Sequence, residues 1–137
     1  MNVIASPGSL TSTQARQLSP ASLAYIGDGV YELWIRLHFL LPQKQMNLYH
    51  QTVVRCVRAE QQAHLLSQIE GQLTDVERDV VRWGRNAVTN VPKRLDHSTY
   101  RYATGFETLI GYLYLTNTER LAEVFSDLMT LLSDACS

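Results

Sequence analysis

Leu23-Ala24-Tyr25-Ile26-Gly27-Asp28-Gly29-Val30 and Phe106-Glu107-Thr108-Leu109-Ile110-Gly111 decide the reading of this 137-residue chain. Each stretch places a carboxylate in the middle of an apolar run with helical spacing. Each also holds glycines close by: Gly27 and Gly29 beside Asp28, Gly105 and Gly111 beside Glu107. Glycine inside a helix costs about 1 kcal/mol relative to alanine, so four of the seven glycines spent at two places ask for a reason. Close backbone approach is one: two helices crossing tightly, with the acids held at the crossing. An isolated buried carboxylate is expensive and tends to take up a proton. A divalent cation shared by both acids removes that cost, and oxygen ligands of this kind select Mg2+ or Mn2+ over zinc. The competing reading is that the glycines serve packing only, while the acids face solvent or pair with arginine. Glu32, one turn after Asp28, is a weaker candidate, because an i,i+4 pair with Arg36 is its ordinary role.

Working outward, the apolar spacing predicts an all-α chain of about five main helices. Ser19-Pro20 is an N-cap followed by proline at the first helical position, and the helix it opens runs to about Leu41, where Pro42 stops it. A second helix is expected over 47–69, before Gly71. A third opens with the capping box Thr74/Glu77 and carries Val76, Val80, Val81 and Trp83. The polar stretch 85–96 reads as an ordered loop. A fourth helix follows over 98–115, and the last starts at Thr118 with Leu121, Val124, Phe125, Leu128, Leu131 and Leu132. Residues 1–17 carry one charge and many Ser and Thr, and read as a short, poorly ordered tail rather than a signal peptide. The remaining 18–137 form one domain, which at this length folds without a staple.

Composition excludes several classes. The net charge of −1 is not that of a bulk polycation. The longest apolar run, through Gly111, is far short of the ~20 residues a membrane span needs. Cys56 and Cys136 supply neither a disulfide framework nor a zinc spacing, and a reducing compartment is the default. Charge is nonetheless segregated. Arg82, Arg85, Lys93, Arg94 and Arg101 lie within twenty residues opposed only by Asp96. A basic loop beside an acidic metal site suits a polyanionic substrate, and Asn86, Thr89, Asn90 and Ser98 add neutral donors for phosphate or 2′-OH oxygens. Taken alone, such a run is also the ordinary solvated loop. Tyr100, Tyr102, Tyr112 and Tyr114 read as packing residues with wet hydroxyls, and His97 as a loop or cap residue.

The two acidic stretches resemble the signature helix and the second acidic helix of the ribonuclease III family. Arg82-Trp83-Gly84-Arg85-Asn86-Ala87 and Tyr100-Arg101-Tyr102-Ala103-Thr104-Gly105 resemble one branch, Mini-ribonuclease III, which has the catalytic domain alone. The likeness runs from Ser19 to the last helix. It implies a ribonuclease III-like endonuclease domain working as a homodimer. It implies Mg2+-dependent hydrolysis of double-stranded RNA, with Mn2+ able to substitute, leaving 5′-phosphate and 3′-hydroxyl ends. Asp28 and Glu107 become the catalytic and metal-binding pair. Arg82, Arg85, Asn86, Lys93, Arg94 and Arg101 become the RNA-binding set. In bacteria the branch is linked to maturation of the 23S rRNA precursor in the cytoplasm, and a ribosomal protein is the expected helper. Full-length members carry two further acids, at positions held here by Ala24 and Thr104, so waters, Thr104 or Glu32 are left to complete the shell. The missing acids also motivate the alternative, a non-catalytic RNA-binding ribosome assembly factor.

Overall fold

The computed structural model describes residues 4–135, with side chains placed through residue 132. Among the described residues there are seven α-helices and no strand. They are α1 (Ser12–Arg16), α2 (Pro20–His38), α3 (Met46–Val57), α4 (Ala59–Ile69), α5 (Asp75–Asn86), α6 (His97–Thr116) and α7 (Thr118–Ala135), with a 3-10 turn at Glu70–Gln72. Helix α6 is the axis: α1, α2, α4, α5 and α7 all pack on it. It buries ten of its twenty residues, including Phe106, Leu109, Ile110 and Leu113. That burial all round explains why its apolar pattern has no clean polar face. Among the described residues no helix is long and apolar enough to cross a membrane.

The closest packing is where α2 crosses α6, and it is glycine on glycine. A Cβ on Gly27 would overlap the main-chain carbonyl of Glu107 and come within 2.8 Å of Gly111 N. A Cβ on Gly111 would overlap the carbonyl of Leu23. Main chain therefore meets main chain, and this is the reason for placing glycine in two helix interiors. Gly105 does the same work on the other side of α6, where Val81 O and Arg85 Cγ lie 2.9 Å from its would-be Cβ. Gly29 takes no part in the crossing, since nothing lies within 4 Å of a Cβ there.

Three details differ from the sequence expectation. Helix α2 ends at His38 rather than near Leu41: the Tyr49 hydroxyl takes the Arg36 carbonyl that the Leu40 N–H would need, and Leu40 bonds the Leu37 carbonyl instead at 3.4 Å. The helix expected over 47–69 is two helices, broken at Arg58, whose backbone is extended at φ −72°, ψ 158°. A continuous stripe from Val53 and Cys56 would bury position 60, but Glu60 is exposed and burial resumes at Gln62. In α5 the capping box forms as expected, yet Val76 is 54% exposed. Its neighbour Glu77 turns inward instead and pairs with Arg120 of α7 at 2.8 and 3.0 Å. Burial alone would raise the Glu77 pKa; the guanidinium and the cap bonds of Thr74 more than offset it and hold the carboxyl below its usual value.

The stretch expected as a tail is docked on the body. Gly8 and Leu10 donate their N–H groups to the Tyr114 and Leu115 carbonyls at 2.9 Å each, covering the C-terminal turns of α6. Thr11 and Gln14 cap α1 reciprocally, Ala15 is fully buried, and Arg16 lies over the Trp83 ring at 4.5 Å. The sequence signal for this, a Thr-x-x-Gln capping box, sits at residues 11–14. Residues 1–3 and Cys136 lie outside the described residues.

Candidate active site

The Gly27–Gly111 crossing sets Asp28 of α2 beside Glu107 of α6. Asp28 is exposed and Glu107 partly buried, and the two line one cavity of about 370 Å³. Burial, and then the hydrogen-bonded and charged Asp28 carboxylate next to it, push the Glu107 pKa up to about 8, against a smaller opposing pull from the Gln62 amide. Two carboxylates facing one cavity repel each other, and a divalent cation shared between them would relieve that repulsion.

Three elements close the rest of the cavity. The α3–α4 break brings Arg58 and Glu60 to the rim and Gln62 to the floor. The loop before α6 brings Pro92, Arg94 and Leu95. Helix α6 itself adds Tyr100, Ala103 and Thr104, which share the face of Glu107 at helical spacing. Gln62 Nε2 donates to the Val57 carbonyl at 3.0 Å and reaches Glu107 Oε2 at 3.5 Å. The positions where full-length relatives of the resembled family carry further acids contribute no carboxylate: Ala24 is a buried methyl, and the Thr104 hydroxyl donates to the Tyr100 carbonyl at 2.9 Å. Glu32 is in its ordinary surface pair with Arg36 at 3.5 Å. No cluster of three or more metal-ligating side chains occurs among the described residues.

The basic set is only partly gathered at this cavity. Arg94 lines it, and Lys93 is exposed next to it in the same loop. Arg82 pairs with Asp79 at 2.8 Å and, with Arg85 and Arg78, lines a different cavity. Arg85 lies over the Tyr102 ring at 4.5 Å. Asn86 is exposed at the end of α5. Arg101 follows Tyr100 on α6 and points about 100° away from it. Thr89 and Asn90 line a neighbouring depression that shares Tyr100 and Thr104 with the acidic cavity. Asp96 is the N-cap of α6, accepting from Thr99 N at 3.1 Å, so it offsets little of the loop's charge at the site. Arg58, Glu60 and Gln62 were not singled out from sequence. The signal for them was the polar run 58–62 interrupting an apolar stripe.

Comparison with known proteins bears on the family and the fold. The profile of the ribonuclease III domain matches residues 21–118. The Mini-ribonuclease 3 of Thermosynechococcus vestitus is 55% identical over 111 residues, covering 81% of this chain and 74% of that protein. That of a Synechococcus species is 48% identical over 119 residues, covering 87% and 86%. A crystal structure of a Fusobacterium nucleatum protein superposes with a TM-score of 0.78 at 22% identity, covering 88% of this chain and 98% of the other, which is a likeness of fold.

Proposed function

The chain belongs to the ribonuclease III family, and from that premise we propose that it is an Mg2+-dependent endoribonuclease that hydrolyses double-stranded RNA. The observation that carries this reading is that Asp28 and Glu107 line one open cavity together with Arg58 and Arg94. Asp28 and Glu107 would hold the ion. Bound there, Mg2+ supplies charge for the phosphate oxygens and lowers the pKa of water, so that a side-chain nucleophile is not needed. The protein's own part is to grip and orient. Arg58 and Arg94 take phosphates across the groove, where neutralised charge gives affinity without sequence reading. Tyr100, Asn90 and Thr89 extend the contact along the neighbouring depression. Gln62 fixes the Glu107 carboxylate through its amide.

The working unit we propose is a homodimer formed through α2. Tyr25, Ile26, Leu33 and Leu37 are 81%, 40%, 58% and 59% exposed. They run along one side of the helix beside an open hollow lined also by Asp28, Gly29, Val30 and Tyr114. An apolar stripe of this kind is the mark of an interaction surface, and a two-fold pairing makes it self-complementary. Because Asp28 touches both the hollow and the acidic cavity, such a dimer sets its two sites side by side, one for each strand.

For the substrate we propose the paired ends of the 23S rRNA precursor, cut in the cytoplasm with a ribosomal protein as helper. The relatives' shared name, Mini-ribonuclease 3, supports RNA as the substrate class. The test is purified protein with a duplex precursor RNA and Mg2+. Cleavage to 5′-phosphate and 3′-hydroxyl ends is expected, and is lost in Asp28→Asn and Glu107→Gln. Intact strands, with salt-sensitive binding retained, would instead favour the ribosome assembly factor that the acid-free positions Ala24 and Thr104 suggest.

A further inference from the structure

Gln62 holds a side chain whose chemistry the fold does not use up. It is 3% exposed, on the first turn of α4, in the cavity of Asp28 and Glu107. Its orientation is fixed by its surroundings. The nitrogen donates to Val57 O at 3.0 Å, a carbonyl stranded at the end of α3 by the break at Arg58. A flipped amide would put two acceptors against each other there. The opposite atom, Oε1, is therefore the one left over, and it is buried with no hydrogen-bond partner. It belongs to a side chain that lines the same cavity as Asp28 and Glu107. A position needed only for packing would carry leucine or methionine, and one needed only to cap Val57 would need no acceptor. Buried acceptors are satisfied in working proteins, so this one calls for a donor that the chain itself does not supply.

We propose that Gln62 is a positioning residue for the metal centre: its Oε1 accepts a hydrogen bond from the hydration shell of the cation that Asp28 and Glu107 hold. With two carboxylates as direct ligands, most of the cation's coordination is water, and a fixed acceptor among those waters decides how they are turned. One amide then serves three groups, the Val57 carbonyl, the Glu107 carboxylate and the ion's shell, and couples the α3–α4 break to the reaction centre. Acceptors of this outer kind are worth roughly 10–100-fold in metal affinity.

The inference rests on the nuclease reading, and the experiment separates the two. Mn2+ binding to the RNA-free protein is followed by electron paramagnetic resonance in wild type, Asp28→Asn, Gln62→Met and Gln62→Glu, each first melted in EDTA. Wild type should bind saturably, and Asp28→Asn should not. Gln62→Met, close in shape but without an acceptor, should weaken binding roughly 10-fold or more, with cleavage regained at high Mn2+ and KM for duplex RNA unchanged. Gln62→Glu, which keeps an acceptor, should bind at least as tightly as wild type. Wild-type affinity in folded Gln62→Met overturns the proposal, as does a rise in RNA KM alone, which would assign the amide to the substrate. If Gln62→Met does not fold, binding in Gln62→Glu weaker than wild type overturns it. No saturable binding in wild type removes the nuclease reading and this inference with it.

Discussion

Glu107→Gln should stabilise the metal-free protein while abolishing its activity. The glutamine keeps both neighbours, since its amide oxygen can accept from Gln62 and its nitrogen can donate to Asp28. What it removes is a carboxyl whose pKa is raised from 4.5 to about 8 by burial and by Asp28. The sign follows from the protons. Between those two values the folded chain keeps a proton that the unfolded chain has released, so the stability this group leaves intact below pH 4.5 is lost as pH rises toward 8. At about 1.36 kcal/mol for each tenfold change in proton affinity, the ceiling is roughly 5 kcal/mol. The cavity is open to water, which lowers the real figure to about 1–3 kcal/mol. For 137 residues the unfolding entropy is roughly 0.29 kcal/mol/K, so 1 kcal/mol moves Tm by about 3–4 °C. Melts in EDTA at pH 5 and pH 8, at one protein concentration, should therefore show wild type falling about 4–10 °C further than Glu107→Gln. Mg2+ should raise Tm only in wild type. Parallel pH profiles, or a variant that melts at or below wild type at pH 8 without metal, would refute the account of the acid pair.

Gly27→Ala or Gly111→Ala forces a methyl into the opposing main chain; a loss of about 3 kcal/mol or more, or failure to fold, should show in urea titrations, while Gly29→Ala is tolerated. Glu77→Gln breaks the inward pair with Arg120 and should cost about 3 kcal/mol at pH 7; because the native carboxyl is held low, that cost should fade as pH drops below the ordinary carboxylate range. Arg58→Ala and Arg94→Ala should each weaken duplex RNA binding and flatten its salt dependence by about one counterion, whereas Arg82→Ala, already paired with Asp79, should change neither in a filter-binding titration. Leu33→Glu should turn a sedimenting dimer into a monomer with unchanged helix content.

The central arrangement was legible because glycine and carboxylate are both out of place inside an apolar helix. Two rule-breaking stretches at 23–30 and 106–111 had to meet, and Gly27 and Gly111 do. Caps were legible for the same reason: Ser19, Thr74 and the start at Thr118 are local chemistry. The α3–α4 break was not, since Arg58 has an ordinary side chain and nothing in its identity marks an extended backbone. The docking of 4–17 left only the Thr11/Gln14 capping box as a trace, because its main bonds are made by main-chain N–H groups, to which composition is blind. The basic set divided for a similar reason. A run of charges in sequence wraps around the end of α5 and the start of α6, so Arg85 and Arg94 come to face different cavities.

The helix crossing at Gly27 and Gly111 has a consequence for how such a molecule can change over time. A separation dictated by two polypeptide backbones in direct contact does not depend on which aliphatic residues fill the interior around it. Phe106, Leu109 or Ile35 could be exchanged for other oily residues over many generations, and the distance between the two acids would hold as long as both hydrogen side chains were kept. Sequence drift in the interior and constancy of chemistry are thereby uncoupled, at the expense of two sites where almost no substitution can be accepted.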